Sequence, residues 1–172
     1  MINPRIHLEL PVNLAYLSVI GSAIHALLNT ENMMNDTAEK IRLAVHEACA
    51  NIIDHAHPKE NSQYISVILL LDQQTAQFRA DLFDMGRAFT PPPGNSAAIW
   101  QRSIQESGTR YRLESVSEPT LEQDRGRGLF LMQQLMDHIS CLVTEDGNHW
   151  QLIKQYETAV VPTRCSAEVK SK

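Results

Sequence analysis

The sequence predicts an α+β domain: a two-layer sandwich in which helices cover one face of a mixed or antiparallel sheet. Three observations predict it. Segments that alternate with period two are separate from segments whose apolar residues recur every three or four positions. The strand-like segments come mostly in pairs joined by short polar links, which points to hairpins rather than to strands alternating singly with helices. Finally, 172 residues with 43% apolar content suffice for one core and leave little for a second.

The elements follow in order. "RIHLEL", residues 5–10, sets Ile6, Leu8 and Leu10 against Arg5, His7 and Glu9, a half-buried strand ended by Pro11. Asn13 is placed to cap a helix running to about Asn29, with Leu14, Leu17, Gly21, Ile24 and Leu28 on one stripe. Asp36 or Thr37 caps a second helix with a stripe at Ile41, Val45, Ala48, Ile52 and Ala56, and Pro58 stops it. "YISVILLL" and "AQFRADLF", separated by "DQQT", form an antiparallel hairpin. From Met85 to about Arg125 periodicity is weak, and "AAIWQRSIQES" is expected to be a short helix within a long loop. After "GRG", the run Leu129, Met132, Leu135, Met136 and Ile139 marks a third helix; "ISCLVTE" and "HWQLIKQY" then pair across Asp146-Gly147. The expected organisation is a domain over 1–156, with a lid or insert at about 87–125, and a loose tail over 157–172.

Composition narrows the functions. The net charge of −5 arises from interspersed charges, so no basic stripe is offered to a nucleic acid. Cys49, Cys141 and Cys165 are far apart and form no Cys-x-x-Cys pair, which fits a reducing cytoplasm rather than a disulfide framework. The apolar stretch over 14–28 is short and broken by Ser, Gly and His, so no membrane segment is expected.

Three segments carry candidate chemistry. "VHEACANIIDHAH" begins His-Glu, but a zincin helix needs His-Glu-x-x-His and position 50 is Ala. His46 and His55 are separated by roughly 900° of helix rotation and face opposite sides. Glu47 and Asn51, at i and i+4, are neighbours. A carboxylate can accept a proton or orient a hydroxyl while a carboxamide oxygen coordinates a hard cation; by itself, however, the pair reads first as a solvated helix face. In "FDMGRAF", Asp84 ends a strand and Gly86 follows after one residue, which suits an exocyclic amine and a flat ring, or an ordinary turn. In "DRGRGLFLMQQLMD", Gly126 and Gly128 open a helix whose first N–H groups, with Arg125 and Arg127, favour phosphate oxygens. The lysine-bearing phosphate loop and the three-glycine dinucleotide fingerprint are both missing.

Taken together and in this order, the three segments resemble the GHKL ATPases, the histidine-kinase-like ATPase superfamily with the Bergerat fold. "HEACANIIDHAH" and "GRGLFLMQQLMD" are similar to the Asn box and second glycine box of one branch, the bacterial anti-sigma-factor serine/threonine kinases. The likeness covers residues 5 to 156. It implies an ATP-dependent protein kinase that binds a sigma factor or another transcription regulator and phosphorylates an anti-anti-sigma (STAS-type) protein, with ATP and Mg2+ as cofactors. It implies that Glu47 is the base or orienting group for the acceptor hydroxyl and that Asn51 binds magnesium. Asp84 would take the adenine amine, with Gly86 beside the base. Arg125, Gly126, Arg127, Gly128, Leu129 and Phe130 would form the phosphate end, and His55 would stand on the nucleotide side. A homodimer is compatible with the family. In one respect the sequence departs: Ala88 stands at the last glycine of the usual Asp-x-Gly-x-Gly. That substitution, with the long 87–125 segment, favours an alternative, a module that sequesters its regulator and whose nucleotide site is vestigial.

Overall fold

The computed structural model describes residues 3–30, 33, 35–55, 64–92, 98–119 and 127–157. The order is β1 (Arg5–Pro11), α1 (Leu17–Asn29), α2 (Asn35–His55), β2 (Tyr64–Asp72), β3 (Gln77–Asp84), β4 (Ala98–Gln105), β5 (Gly108–Val116), α3 (Arg127–Leu135), β6 (His138–Thr144) and β7 (Gly147–Gln155). The seven strands form one sheet in the order β1-β2-β3-β7-β6-β5-β4. Every pairing is antiparallel. The three helices pack on one face, so the expected α+β sandwich is the fold found.

Local sequence accounts for most of this. Asn13 caps as expected, its Oδ1 accepting from Ala15 N at 2.9 Å, but the first turn, Leu14–Tyr16, is 3-10 and α1 proper begins at Leu17. Leu17, Ile20, Ile24, Leu27 and Leu28 form the buried stripe of α1. Helix α2 buries Ile41, Ala44, Val45, Ala48, Cys49 and Ile52; its alanines let the backbone lie close to α1 and the sheet. In β2 the alternation is strict: Ile65, Val67, Leu69 and Leu71 point inward and meet Leu82, Ala80 and Phe78 of β3. Each such fully buried large side chain contributes about 1.5–3 kcal/mol. Among the described residues no helix is long and apolar enough to cross a membrane.

The segment after β3 corrects one expectation. "AAIWQRSIQES" is not a helix; residues 98–105 are strand β4, which forms a hairpin with β5 and extends the sheet at the β6 edge. The cause is β5, where Tyr111 and Leu113 alternate with Arg110 and Arg112, a strand pattern that offers β4 a partner. Gly108, at φ +145°, closes the turn against the Val143 carbonyl. The tail beyond residue 157 lies outside the described residues.

On the open face of the sheet, Asp81 is only 5% exposed and fully engaged. Its Oδ2 accepts from Arg79 Nε at 2.8 Å, and its Oδ1 accepts from Gln151 Nε2 at 3.0 Å and lies 2.9 Å from His149 Nε2. Burial raises the Asp81 pKa, but the hydrogen bonds from His149 and Gln151 and the charge of Arg79 outweigh it and hold the carboxyl below its usual range. A depressed folded-state pKa means that this stabilisation is complete above the unfolded value of about 3.9 and is lost as pH falls through the folded value. Urea midpoints measured from pH 6 to pH 2 are therefore expected to fall less steeply for Asp81→Asn than for the native chain. Parallel acid limbs would refute that assignment.

Candidate functional site

The first part of the site lies where α2 meets α3. Glu47 and Asn51, one turn apart, are half-buried on the side of α2 that faces α3. Gly128 is the second residue of α3, and the space beside it is already taken. A Cβ built there would lie 2.6 Å from Glu47 Oε2 and 3.5 Å from Asn51 Nδ2. The two sequence segments, 77 positions apart at Asn51 and Gly128, thus meet through the lack of a side chain at one of them. Glycine there brings a helix N-terminus, with its outward N–H groups and positive dipole end, against a carboxylate and a carboxamide.

Leu129 and Phe130 follow, partly buried against the core, and Met132 is fully buried; they seat α3 on the rest of the domain. Arg127 is the exposed first residue of the helix. Arg125 and Gly126, and the side chain of His55, lie outside the described residues.

The second part lies at the end of β3. Asp84 is 3% exposed and faces the helix layer. Its Oδ1 accepts from Gly86 N at 3.0 Å and from Asn148 Nδ2 at 2.9 Å. Gly147, at φ +132°, packs so closely that a Cβ would sit 2.1 Å from the Asp84 carbonyl oxygen. Burial first, and the nearby Asp84 charge second, push the Cys141 thiol up. Burial alone pushes Cys49 up to about 12, so neither thiol ionises near neutral pH. Ala88 does not have a positive φ, so glycine is not required there for backbone reasons.

Sequence reasoning missed two features. Asn148 is 3% exposed and bridges Asp84 to the loop that follows it. Phe89 is the centre of an aromatic cluster, its ring centroid 4.6 Å from Trp150, 5.0 Å from Trp100 and 5.6 Å from Tyr111. The only sequence signal for Asn148 is its place after the hairpin glycine; for the cluster it is the alternation of Tyr111 and Leu113 in β5.

A shallow groove of about 460 Å³ opens at the strand ends, lined by Tyr64, Phe83, Met85, Asp84, Asn148 and His149 among others. It reaches the Asp84 region from the uncovered side of the sheet and does not include Glu47 or Asn51.

The donor set fits a hard cation. Asn51 carries a carboxamide oxygen, a ligand type that Mg2+ takes, one helical turn from the Glu47 carboxylate. Both side chains stand beside the start of α3 at Gly128.

Residues 10–154 match the family described as the histidine kinase-like ATPase domain. The chain is 23% identical to the serine-protein kinase RsbW of Bacillus cereus over 141 residues, covering 82% of this chain and 79% of that protein. It is 24% identical to the serine-protein kinase RsbW of Bacillus velezensis, covering 89% and 95% respectively. The fold is also similar to a crystal structure of the RsbU and RsbW domains of a Mycobacterium tuberculosis protein, with a TM-score of 0.55 and 12% identity. That match covers 89% of this chain and 32% of the longer one.

Proposed function

The chain belongs to the histidine kinase-like ATPase family, and from that premise we propose that it is an ATP-dependent serine/threonine protein kinase acting as an anti-sigma factor. Its substrate is an anti-anti-sigma (STAS-type) protein, and it works in the cytoplasm as a transcription regulator without touching nucleic acid itself. The observation that carries the proposal is the packing of Gly128 on Glu47 and Asn51.

In this reading the start of α3 receives the phosphate oxygens on its first N–H groups, assisted by Arg127 and by Arg125 and Gly126, which precede it in sequence. Asn51, through its amide oxygen, would hold Mg2+, which when bound would neutralise phosphate charge. Glu47 accepts the proton of the attacking hydroxyl or orients it. Asp84 takes the adenine amine, and Gly86 donates to Asp84, which keeps that carboxylate in place. Phosphoryl transfer asks mainly for positioning and charge neutralisation, so a small constellation of this kind is enough. A phosphate on the partner places about two negative charges in an interface, which releases it.

Titration with ATP, with and without magnesium, tests the proposal. The native chain is expected to bind ATP more tightly with magnesium present, and Asn51→Ala to lose most of that magnesium dependence, with affinity down at least about tenfold. Equal affinity and equal magnesium dependence in the variant would overturn it. Transfer of label from ATP to an anti-anti-sigma domain checks the kinase activity itself.

A second reading is favoured by Ala88 at the usual glycine position: a regulator-sequestering module with a vestigial nucleotide site. It requires a complex that forms without ATP and survives Asn51→Ala.

A further inference from the structure

We propose that the outer edge of β4 is a self-pairing surface, on which a second copy of this chain adds its own β4 antiparallel about a two-fold axis at Gln101. The two edges of the sheet differ. Strand β1, one outer strand, starts after Pro4, ends in Pro11 and exposes Arg5, His7 and Glu9, so proline and charge guard it. Strand β4, the other, reads "AIWQRSIQ": it has no proline, Arg102 is its only charge, and Ile99 and Ile104 are 57% and 79% exposed. Among the described residues β4 pairs only with β5, so the backbone groups it turns the other way meet no strand there.

Side-chain parity decides what fits this edge. Trp100, Arg102 and Ile104 stand opposite Leu113, Tyr111 and Thr109 and share the helix-layer face; Gln101 and Ser103, opposite Arg112 and Arg110, share the open face. The register shift of the hairpin lies between Ile99 and Trp100, so 100–105 alternate regularly. Residues directly opposite in an antiparallel pair lie on one face, and a two-fold axis normal to the sheet keeps each face. Strand β4 therefore meets its copy only in registers that pair positions of equal parity. The two longest such registers are centred on Gln101 and on Arg102. Centring on Arg102 sets two guanidinium groups directly opposite each other, which opposes pairing. Centring on Gln101 joins two neutral carboxamides and sets each Arg102 against the other copy's Trp100, a cation–π pair, with Ile104 diagonal to the same indole.

Both helix layers then lie on one side of a continuous sheet, and the open face stays free for other contacts. The interface is small, so the dimer exchanges with monomer, with a Kd on the order of 10 μM.

Sedimentation of the full chain across the micromolar to submillimolar range tests the inference, with reversible dimerisation expected. Gln101→Glu and Gln101→Lys each place like charges opposite at the axis and are expected to weaken association about three- to tenfold, whereas an equimolar mixture of the two recovers it. That recovery also shows that both variants are folded. In a Cys165→Ser background, Gln101→Cys is expected to form an intermolecular disulfide, since opposed Cα atoms lie about 4.5–5.5 Å apart. Ser103→Cys is not, because its two copies stand about 13 Å apart along the strands. Cys49 and Cys141 are buried and do not compete. A native chain that stays monomeric across that range overturns the inference. So does a dimer that Gln101→Lys leaves intact, that mixing fails to restore, or that cross-links through Ser103→Cys instead, since each places the second copy elsewhere.

Discussion

Glu47→Gln is expected to lower phosphoryl transfer to the partner by about 10²- to 10⁴-fold, the usual range for loss of a general base, while ATP binding stays near native. The substitution keeps side-chain size and one oxygen but removes the carboxylate that can take a proton. Glu47 Oε2 lies 2.6 Å from where a Cβ on Gly128 would be, so the carboxylate sits beside the helix start where the phosphates are proposed to dock. Gly128→Ala forms a matched second test. Its methyl group meets the end of a flexible side chain rather than backbone, so the fold tolerates it, but Glu47 must turn away. Transfer is expected to fall there too, with the melting temperature within a few degrees of native. Label transfer from ATP measured for both variants decides the matter: a native rate in Glu47→Gln would remove Glu47 from the reaction.

The two parts of the site differ in how far a sequence can show them, and the reason is range. Glu47 and Asn51 are legible because helix geometry alone makes i and i+4 neighbours. Gly128 is recognisable as a helix opener, yet nothing local says that it rests on Glu47; only the packing of α3 on α2 does. Asn148 is further out of reach, because its bond to Asp84 spans 64 positions and a lone Asn after a turn glycine is commonplace.

The same division holds in the fold. Helices α1 and α2 and strands β1, β2 and β3 each bury one face, so their periodicity announces them. Strand β4 is an edge strand with Ile99 and Ile104 largely exposed, so it lacks the alternation that burial imposes. Its identity depends on pairing with β5.

Gly147→Ala is expected to destabilise the domain by about 4 kcal/mol, within roughly 2–6, from two sources that add. At φ +132° an L side chain is strained by about 1–3 kcal/mol. The new Cβ would also stand 2.1 Å from the Asp84 carbonyl oxygen and 3.0 Å from Met85 Cα, both backbone, where the end of β3 meets the start of β7. Relief requires β7 to move from β3, which overpacking data place at a further 1–3 kcal/mol or so. Gly21→Ala supplies the control, since the atoms added are the same. Gly21 lies within α1, no positive φ constrains it, and its Cβ would meet only Arg42 side-chain carbons, at 3.6 and 3.7 Å. There alanine is expected to stabilise by about 0.5–1 kcal/mol, the helix preference of alanine over glycine. For a domain of this size the pair should separate in melting temperature by more than about 10 °C, in opposite directions from native. Because the Gly147 contact is with the residue that is proposed to read the base, Gly147→Ala should also weaken ATP binding in whatever fraction folds, whereas Gly21→Ala should leave it alone. Two variants with similar melting curves would show that the approach of β7 to Asp84 is looser than 2.1 Å implies, and with it the basis for placing Asn148 against that carboxylate.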